Sequence, residues 1–279
     1  MSVKFLLLQI SLIFGLGVAT QAQTPSSMPA PSASPAATSA AADEKSQKII
    51  ERAIEVVGGQ AYLNVHTVVG KGFYSEFKEK VPQIPLKFLD YLIYPDRERT
   101  EFTSSGIRTI QTNTGDSGWM FDGAVKKISD QTPGQVAEFQ RSMRTTVENL
   151  LRGWWRKEGG KVTYVGRREA GLAKRNETVR LTYPNGFWIE YEFGAQDGLP
   201  AKIIYKRNRH DLDSGDQVET TEEDFLLRFI TVEGVSAPWV IDHYVDGTQT
   251  SRINYEQIQY NQPLGDVLFV KPADVKSIK

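Results

Sequence analysis

Gly115-Asp116-Ser117-Gly118 spells the surroundings of the nucleophile in trypsin-like serine proteases. That chemistry needs a histidine base against the serine hydroxyl and a carboxylate behind the imidazole. Trp119 follows where a second glycine would stand, and His66 lies in Asn64-Val65-His66-Thr67-Val68, which is no catalytic-histidine context. The same four residues are ordinary turn composition, so the segment reads as a turn. A second group runs from His210 through Asp211, Asp213 and Asp216 to Glu219, Glu222 and Glu223. Calcium takes several oxygens at alternating loop positions, but the twelve-residue loop and its terminal glutamate are missing. We read a solvated, acidic hairpin tip. With three histidines and no cysteine, disulfides, thiolate zinc sites, iron–sulfur clusters and a cysteine nucleophile are excluded. No metal, cofactor or enzymatic activity is expected.

Two further groups concern surfaces. Arg141, Arg144, Arg152, Arg156 and Lys157, with Arg167, Arg168, Lys174 and Arg175 further on, could form a basic rim able to meet lipid phosphates at a membrane surface. Glu138, Glu148, Glu158 and Glu169 are mixed among them, which equally describes a solvated face. Trp154 and Trp155 are adjacent, and neighbours on a helix point about 100° apart. Trp154 continues an apolar stripe, so Trp155 is expected to face another element, a ligand mouth or a membrane. Lys plus Arg number 33 against 34 Asp plus Glu, a balance that argues against wholesale phosphate binding and against a nucleic-acid partner.

The elements that must position these residues begin after an address. Residues 5–19 are apolar and uncharged behind Lys4, too short to span a bilayer comfortably but suited to a secretory signal peptide. Thr20-Gln21-Ala22 supplies a cleavage site, making residues 1–22 the signal. Residues 23–42 are almost entirely Pro, Ala, Ser and Thr and read as a disordered linker. Residues 43–279 read as a single domain. A helix capped by Asp43 carries Ile49, Ile50, Ala53, Ile54 and Val57 on one face and stops at Gly58-Gly59.

Strand patterns follow. Residues 85–94 are apolar on both phases, with Leu86, Phe88 and Leu92 opposite Leu89, Tyr91 and Ile93. A second helix, residues 133–157, carries Val136, Phe139, Met143, Val147, Leu150, Leu151 and Trp154 at helical spacing. The C-terminal half is a meander whose bends include Asn185-Gly186, Asp197-Gly198 and Asp246-Gly247. Ile253 and Tyr255 share one phase while Ile258 and Tyr260 take the other, which predicts a β-bulge between them. The sum is α+β, mainly β: nine or ten antiparallel strands in a curved, open (incomplete) β-barrel, with helices covering its concave face.

The order of these elements resembles the periplasmic outer-membrane lipoprotein carrier and sorting proteins of the LolA/LolB-like superfamily. The resemblance rests on a signal peptide, a helix ending in Gly58-Gly59, and the Gly-x-x-Gly-Trp-Met-Phe-Asp-Gly segment Gly115–Gly123. A helix and a run of hairpins follow, with Gly198-Leu199-Pro200 at one turn and Asp266-Val267-Leu268-Phe269-Val270-Lys271-Pro272 near the end. It implies an unclosed barrel lidded by helices, whose cavity takes acyl chains and carries them between membranes without chemical change.

An acyl chain needs a dry groove lined by aromatic and aliphatic side chains. The expected lining is Leu86, Phe88, Tyr91, Trp119, Phe121, Trp188 and Trp239, with Phe139, Met143, Leu150 and Trp154 as the lid. Each is equally a good core residue, and helices packed fully down would leave no cavity. The reading is a monomeric, non-enzymatic periplasmic protein binding lipid or acylated protein. The alternative is an envelope scaffold with a filled core that acts through protein–protein contact.

Overall fold

The computed structural model describes the backbone of residues 36–210 and 216–278. The expected signal peptide and most of the linker lie outside the described residues, as do residues 211–215 of the acidic run. The first helix, α1 (Ala36–Val56), begins seven residues before Asp43; the alanines preceding Asp43 are the strongest helix formers and carry the helix N-terminally. Ile50, Ala53 and Val57 bury into the main core, and Ile49 and Ile54 pack against it. Gly58 and Gly59 end the helix at positive φ, 126° and 56°. Gly58 also admits the backbone of Gly234, whose carbonyl oxygen occupies the place a Cβ would take. A short helix, α2 (Gln60–Leu63), follows.

The first meander is β1 (Thr67–Lys78), the two-residue β2 (Val81–Pro82), β3 (Leu86–Ile93), β4 (Arg97–Ser104), β5 (Ile107–Thr114), β6 (Ser117–Asp122) and β7 (Lys127–Asp130). Gly115-Asp116 forms the two-residue turn joining β5 to β6, with Thr114 opposite Ser117, so the protease-like tetrapeptide is a hairpin. Two helices, α3 (Pro133–Thr145) and α4 (Val147–Leu151), and a 3₁₀ turn at Trp154–Glu158 lead to the second meander. This comprises β8 (Lys161–Glu169), β9 (Arg175–Thr182), β10 (Trp188–Gly194), β11 (Pro200–His210), β12 (Gln217–Val232), β13 (Val235–Val245) and β14 (Thr248–Tyr260).

All pairings are antiparallel, in the order β7-β6-β5-β4-β3-β1-β14-β13-β12-β11-β10-β9-β8, with β2 beside β1. The sheet therefore grows from β1 to one edge at β7, and the chain crosses to the opposite edge through α3 and α4. It then returns strand by strand until β14 pairs with β1. The edges do not meet, so the barrel stays open, and the crossing helices have only the concave face to cover. The bulge falls where expected: Lys71 pairs with Gln257 and Gly72 with Tyr255, leaving Glu256 as the extra residue.

The structure corrects several details. Among the described residues fourteen strands are present, more than the nine or ten expected, because polar strands such as β4 gain partners that sequence pattern does not show. Arg99 and Arg108 bind Glu101 from positions on β4 and β5. The acidic run is no solvated tip beyond residue 216. Glu219, Glu222 and Glu223 belong to β12 and pair with Lys206, Arg209 and Lys202 of β11.

The second helix is broken into pieces. Thr146 takes extended backbone and caps α4 through the Asn149 amide, while a capping box of Thr132 and Gln135 opens α3; such a cap is worth about 1 kcal/mol. Gly153, at φ 71°, then turns the chain out of helical phase. Trp155 is consequently the buried tryptophan, donating to the Leu150 carbonyl at 3.1 Å. Trp154 is half-buried against Tyr94, the ring centroids 5.4 Å apart.

Candidate functional site

Between the concave face and the crossing helices lies a cavity of about 330 Å³, within the usual range for small-molecule sites. Its floor is built from alternate residues of neighbouring strands: Val68 and Gly70 of β1, Leu92 of β3, Ile253, Tyr255, Ile258 and Tyr260 of β14, and Ile241 of β13. The bulge at Glu256 is what lets both pairs of β14 face inward. Arg228, at φ 55°, has the same effect on β12, where Leu226 and Phe229 both reach the cavity despite their odd spacing. Gly70 lies beneath the Tyr255 ring, since a Cβ there would come 2.8 Å from the ring edge. The roof is Phe139 and Met143 of α3 with Val147 and Leu151 of α4.

The roof is tied to the sheet by polar contacts along its length, from Gln135 to Met120 of β6 to the Tyr191 hydroxyl on the Arg144 and Thr146 carbonyls. Glu138 of α3 pairs with Arg207 of β11 at 2.6 Å and with Arg141 of its own helix at 2.6 Å. Beside this tie is a closed charge network. His243 sits between Asp224 (2.6 Å from Nδ1) and Glu222 (2.9 Å from Nε2), and Arg209 donates two bonds to Glu222 at 2.7 and 2.8 Å. Burial alone would raise the Glu222 pKa, but the hydrogen bond with His243 and the Arg209 charge outweigh it and hold it at about 2. Burial alone would lower that of His243, but Asp224 and Glu222 outweigh it and hold it at about 9. With both ring nitrogens occupied, His243 is a structural cation rather than a base.

The cavity is acidic at one end. Asp90 of β3, Glu98 of β4 and Glu148 of α4 all line it. Asp90 accepts from the Thr100 hydroxyl at 2.7 Å, yet burial pushes its pKa up to about 6. Burial, and then the neighbouring charge of Asp90, push that of Glu98 well above the carboxylate range. Burial also raises Glu148, against its own backbone amide and Arg152. Arg152 lies one turn from Glu148, donating to the carbonyls of Tyr62, Leu63 and Val65 at 2.6, 3.3 and 2.9 Å. Its guanidinium also lies 4.7 Å from the Tyr62 ring centroid and 4.6 Å from that of Tyr94.

Of the residues expected to line a cavity, Phe139 and Met143 do so. Leu86 and Phe88 lie in a neighbouring cluster with Tyr74 and Phe102, where Phe88 meets Tyr255 edge-on with centroids 5.4 Å apart. Leu150 is in the main core and Trp239 packs against it. Tyr91 is half-buried on β3 opposite Val69 and Arg99, out of phase with Leu92. Trp188 lies beneath Arg180, 4.6 Å away. Trp119 and Phe121 pack with Ile110 against Val275 and Ile278 of the C-terminal segment, the Trp119 indole donating to the Phe269 carbonyl at 2.8 Å. Trp154 stands beside Arg152 and Tyr94 at the margin of the roof. Much of the expected basic rim is paired: Arg141, Arg144, Arg167, Arg168 and Arg175 each meet a glutamate. The acidic end was not anticipated, although its signal was present: Asp90 stands inside the most apolar strand pattern of the chain.

No protein-family model matches the sequence, and comparison with curated proteins finds no match. Solved structures do match in fold. A DUF1329 family protein from Desulfovibrio piger is similar with a TM-score of 0.56 at 11% identity, over 82% of this chain and 97% of that one. A LolA superfamily protein from Nitrosomonas europaea has a TM-score of 0.52 at 13% identity, over 81% and 97%. An outer membrane lipoprotein-sorting protein domain from Vibrio parahaemolyticus has a TM-score of 0.51 at 7% identity, over 81% and 97%. Open sheet, crossing helices and these similarities agree: the chain has a LolA-like fold.

Proposed function

We propose that this protein is a non-enzymatic periplasmic carrier that shelters the acyl chains of lipids or lipoproteins in its concave cavity, for transport or sorting toward the outer membrane. The observation carrying this reading is the cavity of about 330 Å³ roofed by Phe139 and Met143 and floored by Ile253, Tyr255 and Ile258. Burying a methylene contributes about 0.8 kcal/mol, so several buried together offset the cost of ordering a chain. The apolar segment 5–19 supports export, and the named lipoprotein-sorting and LolA superfamily structures support the carrier class. Loading would require α3 to lift, and the Glu138–Arg207 pair is one of the ties that would have to break.

The test is native mass spectrometry with lipid extraction on protein purified from a periplasm without detergent. Discrete adducts releasing phospholipid or acylated peptide are expected. Met143→Asp should weaken them in a folded protein, whereas Trp188→Ala, away from the cavity, should leave them intact. A bare polypeptide that takes up no added lipid would instead favour the envelope scaffold.

A further inference from the structure

Three hairpin tips stand side by side at one rim of the sheet. Tyr74 of β1 pairs with Leu86 of β3, Lys87 with Thr103 of β4, and Thr103 in turn with Arg108 of β5, so these strand ends share one row. Asp122, which ends β6, pairs with Thr109 of β5 and Lys127 of β7 and brings the third tip alongside. Each tip holds large apolar side chains in solvent: Val81 is 59% exposed, Ile84 85%, Ile107 37% and Val125 67%. The backbone presents them. Glu79 and Lys80, and then Ser105 and Gly106, take positive φ in the two-residue turns before Val81 and Ile107. The Asp122 carboxylate accepts from the Ala124 and Val125 amides at 2.8 and 3.4 Å. Around these tips Lys78, Lys80, Lys87, Lys126 and Lys127 are exposed, with no ion-pair partner among the described residues. The acids beside them are Glu76, Glu79 and the turn-bound Asp122, so the rim is positive in a chain whose net charge is −1. The turns at the opposite ends of the same strands, Pro95-Asp96 and Gly115-Asp116, each present an aspartate and no exposed large hydrophobic residue.

We propose that this rim docks the protein on an anionic membrane, the apolar tips entering the headgroup region and the lysines meeting lipid phosphates. The docking goes beyond the carrier reading and does not depend on what the cavity holds. Apolar side chains on separate narrow turns do not make the continuous, closely packed patch of a protein interface, but each can enter the boundary between headgroups and acyl chains by itself. Lysine suits such a surface, because its methylenes lie along the apolar layer while the ammonium reaches phosphate. A nucleic acid would also offer phosphates, but nothing for the four apolar tips. The β8–β9 tip is a weaker candidate. It offers Leu172 alone, and Arg167, Arg168 and Arg175 near it are paired with glutamates; a single exposed leucine is ordinary. The rim also continues into the molecule. Tyr74, Phe88 and Phe102 pack with Leu86, Ile253 and Tyr255 behind it, and Ile253 and Tyr255 belong to the cavity floor. An apolar layer therefore joins the cavity to the docked surface.

Flotation with vesicles tests this on protein purified from a periplasm. Vesicles of phosphatidylglycerol mixed with phosphatidylcholine should bind it at least about tenfold more tightly than phosphatidylcholine alone, and added salt should remove most of that difference. Lys126→Glu combined with Lys127→Glu should cut the binding about tenfold, and so should Ile84→Asp combined with Val125→Asp. Leu172→Asp, at the opposite end of the sheet, should change nothing. All of these positions are exposed, and circular dichroism checks that each variant folds. Because the chain has no cysteine, an introduced one can carry the environment-sensitive dye NBD. On Ile84→Cys or Val125→Cys its emission should brighten and shift to the blue when anionic vesicles are added, and on Asp116→Cys it should not. Equal binding to anionic and neutral vesicles would overturn the proposal, as would binding with no dye response at Ile84 and Val125. So would a loss on Leu172→Asp as large as that at the rim. Absence of binding to either vesicle, the result expected if the rim meets an acidic protein instead, would overturn it too. None of these outcomes decides the acyl-chain reading, which rests on lipid extraction from the cavity.

Discussion

At the scale of single residues, the concave face carries two kinds of buried titratable group. The His243 network is matched and closed, whereas Asp90, Glu98 and Glu148 are left facing the cavity. The first kind stabilises a particular protonation state. His243 has a native pKa of about 9 against an ordinary 6.5, so its contribution is complete below 6.5 and is lost as pH rises through 9. Glu222, held at about 2 against 4.5, contributes fully above 4.5 and loses this as pH falls through 2. The network is therefore strongest between pH 4.5 and 6.5. His243→Gln removes the cation and leaves Asp224 uncompensated, while Glu222 keeps its two bonds from Arg209; breaking a buried pair in this way typically costs about 3–5 kcal/mol. Urea unfolding should show that loss at pH 6 and a smaller one at pH 9.5, where the wild-type imidazole has itself given up its proton.

At the scale of elements, the broken second helix matters more than any strand. A continuous helix over residues 133–157 would have one rigid axis; the break at Thr146 and the left-handed Gly153 make α3 a separate piece. Its apolar residues look into the cavity rather than into a packed core, which leaves polar ties such as Glu138–Arg207 to hold it. Glu138→Gln should speed amide exchange in residues 133–145 by about tenfold, equivalent to a local opening eased by 1.4 kcal/mol. Exchange in β12–β14 should be unchanged. Equal acceleration in both regions would show that α3 does not open independently.

At the scale of the whole molecule, the open sheet has two faces to cover. The helices take the concave one. The segment after β14 takes part of the other: Arg99 donates to the Leu268 carbonyl at 2.7 Å, and Val275 and Ile278 cap Ile110, Trp119 and Phe121. Truncation after Gln262 uncovers those three side chains, each worth about 1.5–3 kcal/mol when buried. The truncated protein should melt at a lower temperature and bind the apolar dye ANS. It should still take up ligand at low temperature, because none of the removed residues lines the cavity.

What the sequence determined by itself is what local patterning encodes. Period-two alternation set most of the strands, Asp246-Gly247 set its hairpin, Gly58-Gly59 ended α1, and the phase change between Tyr255 and Ile258 located the bulge. These features depend on neighbours a few residues away, and so they were legible in one dimension. Only the tertiary structure decided which apolar residues surround empty space and which surround one another. Trp119 and Phe121 differ from Leu226 and Ile253 not in type but in the face of the sheet they occupy. Likewise β4 and the acidic half of β12 hold as strands because Arg108, Lys202 and Arg209 reach their acids diagonally from the neighbouring strand. That is a property of register between distant segments, and it is the same register that gathers Asp90, Glu98 and Glu148 around one end of the cavity.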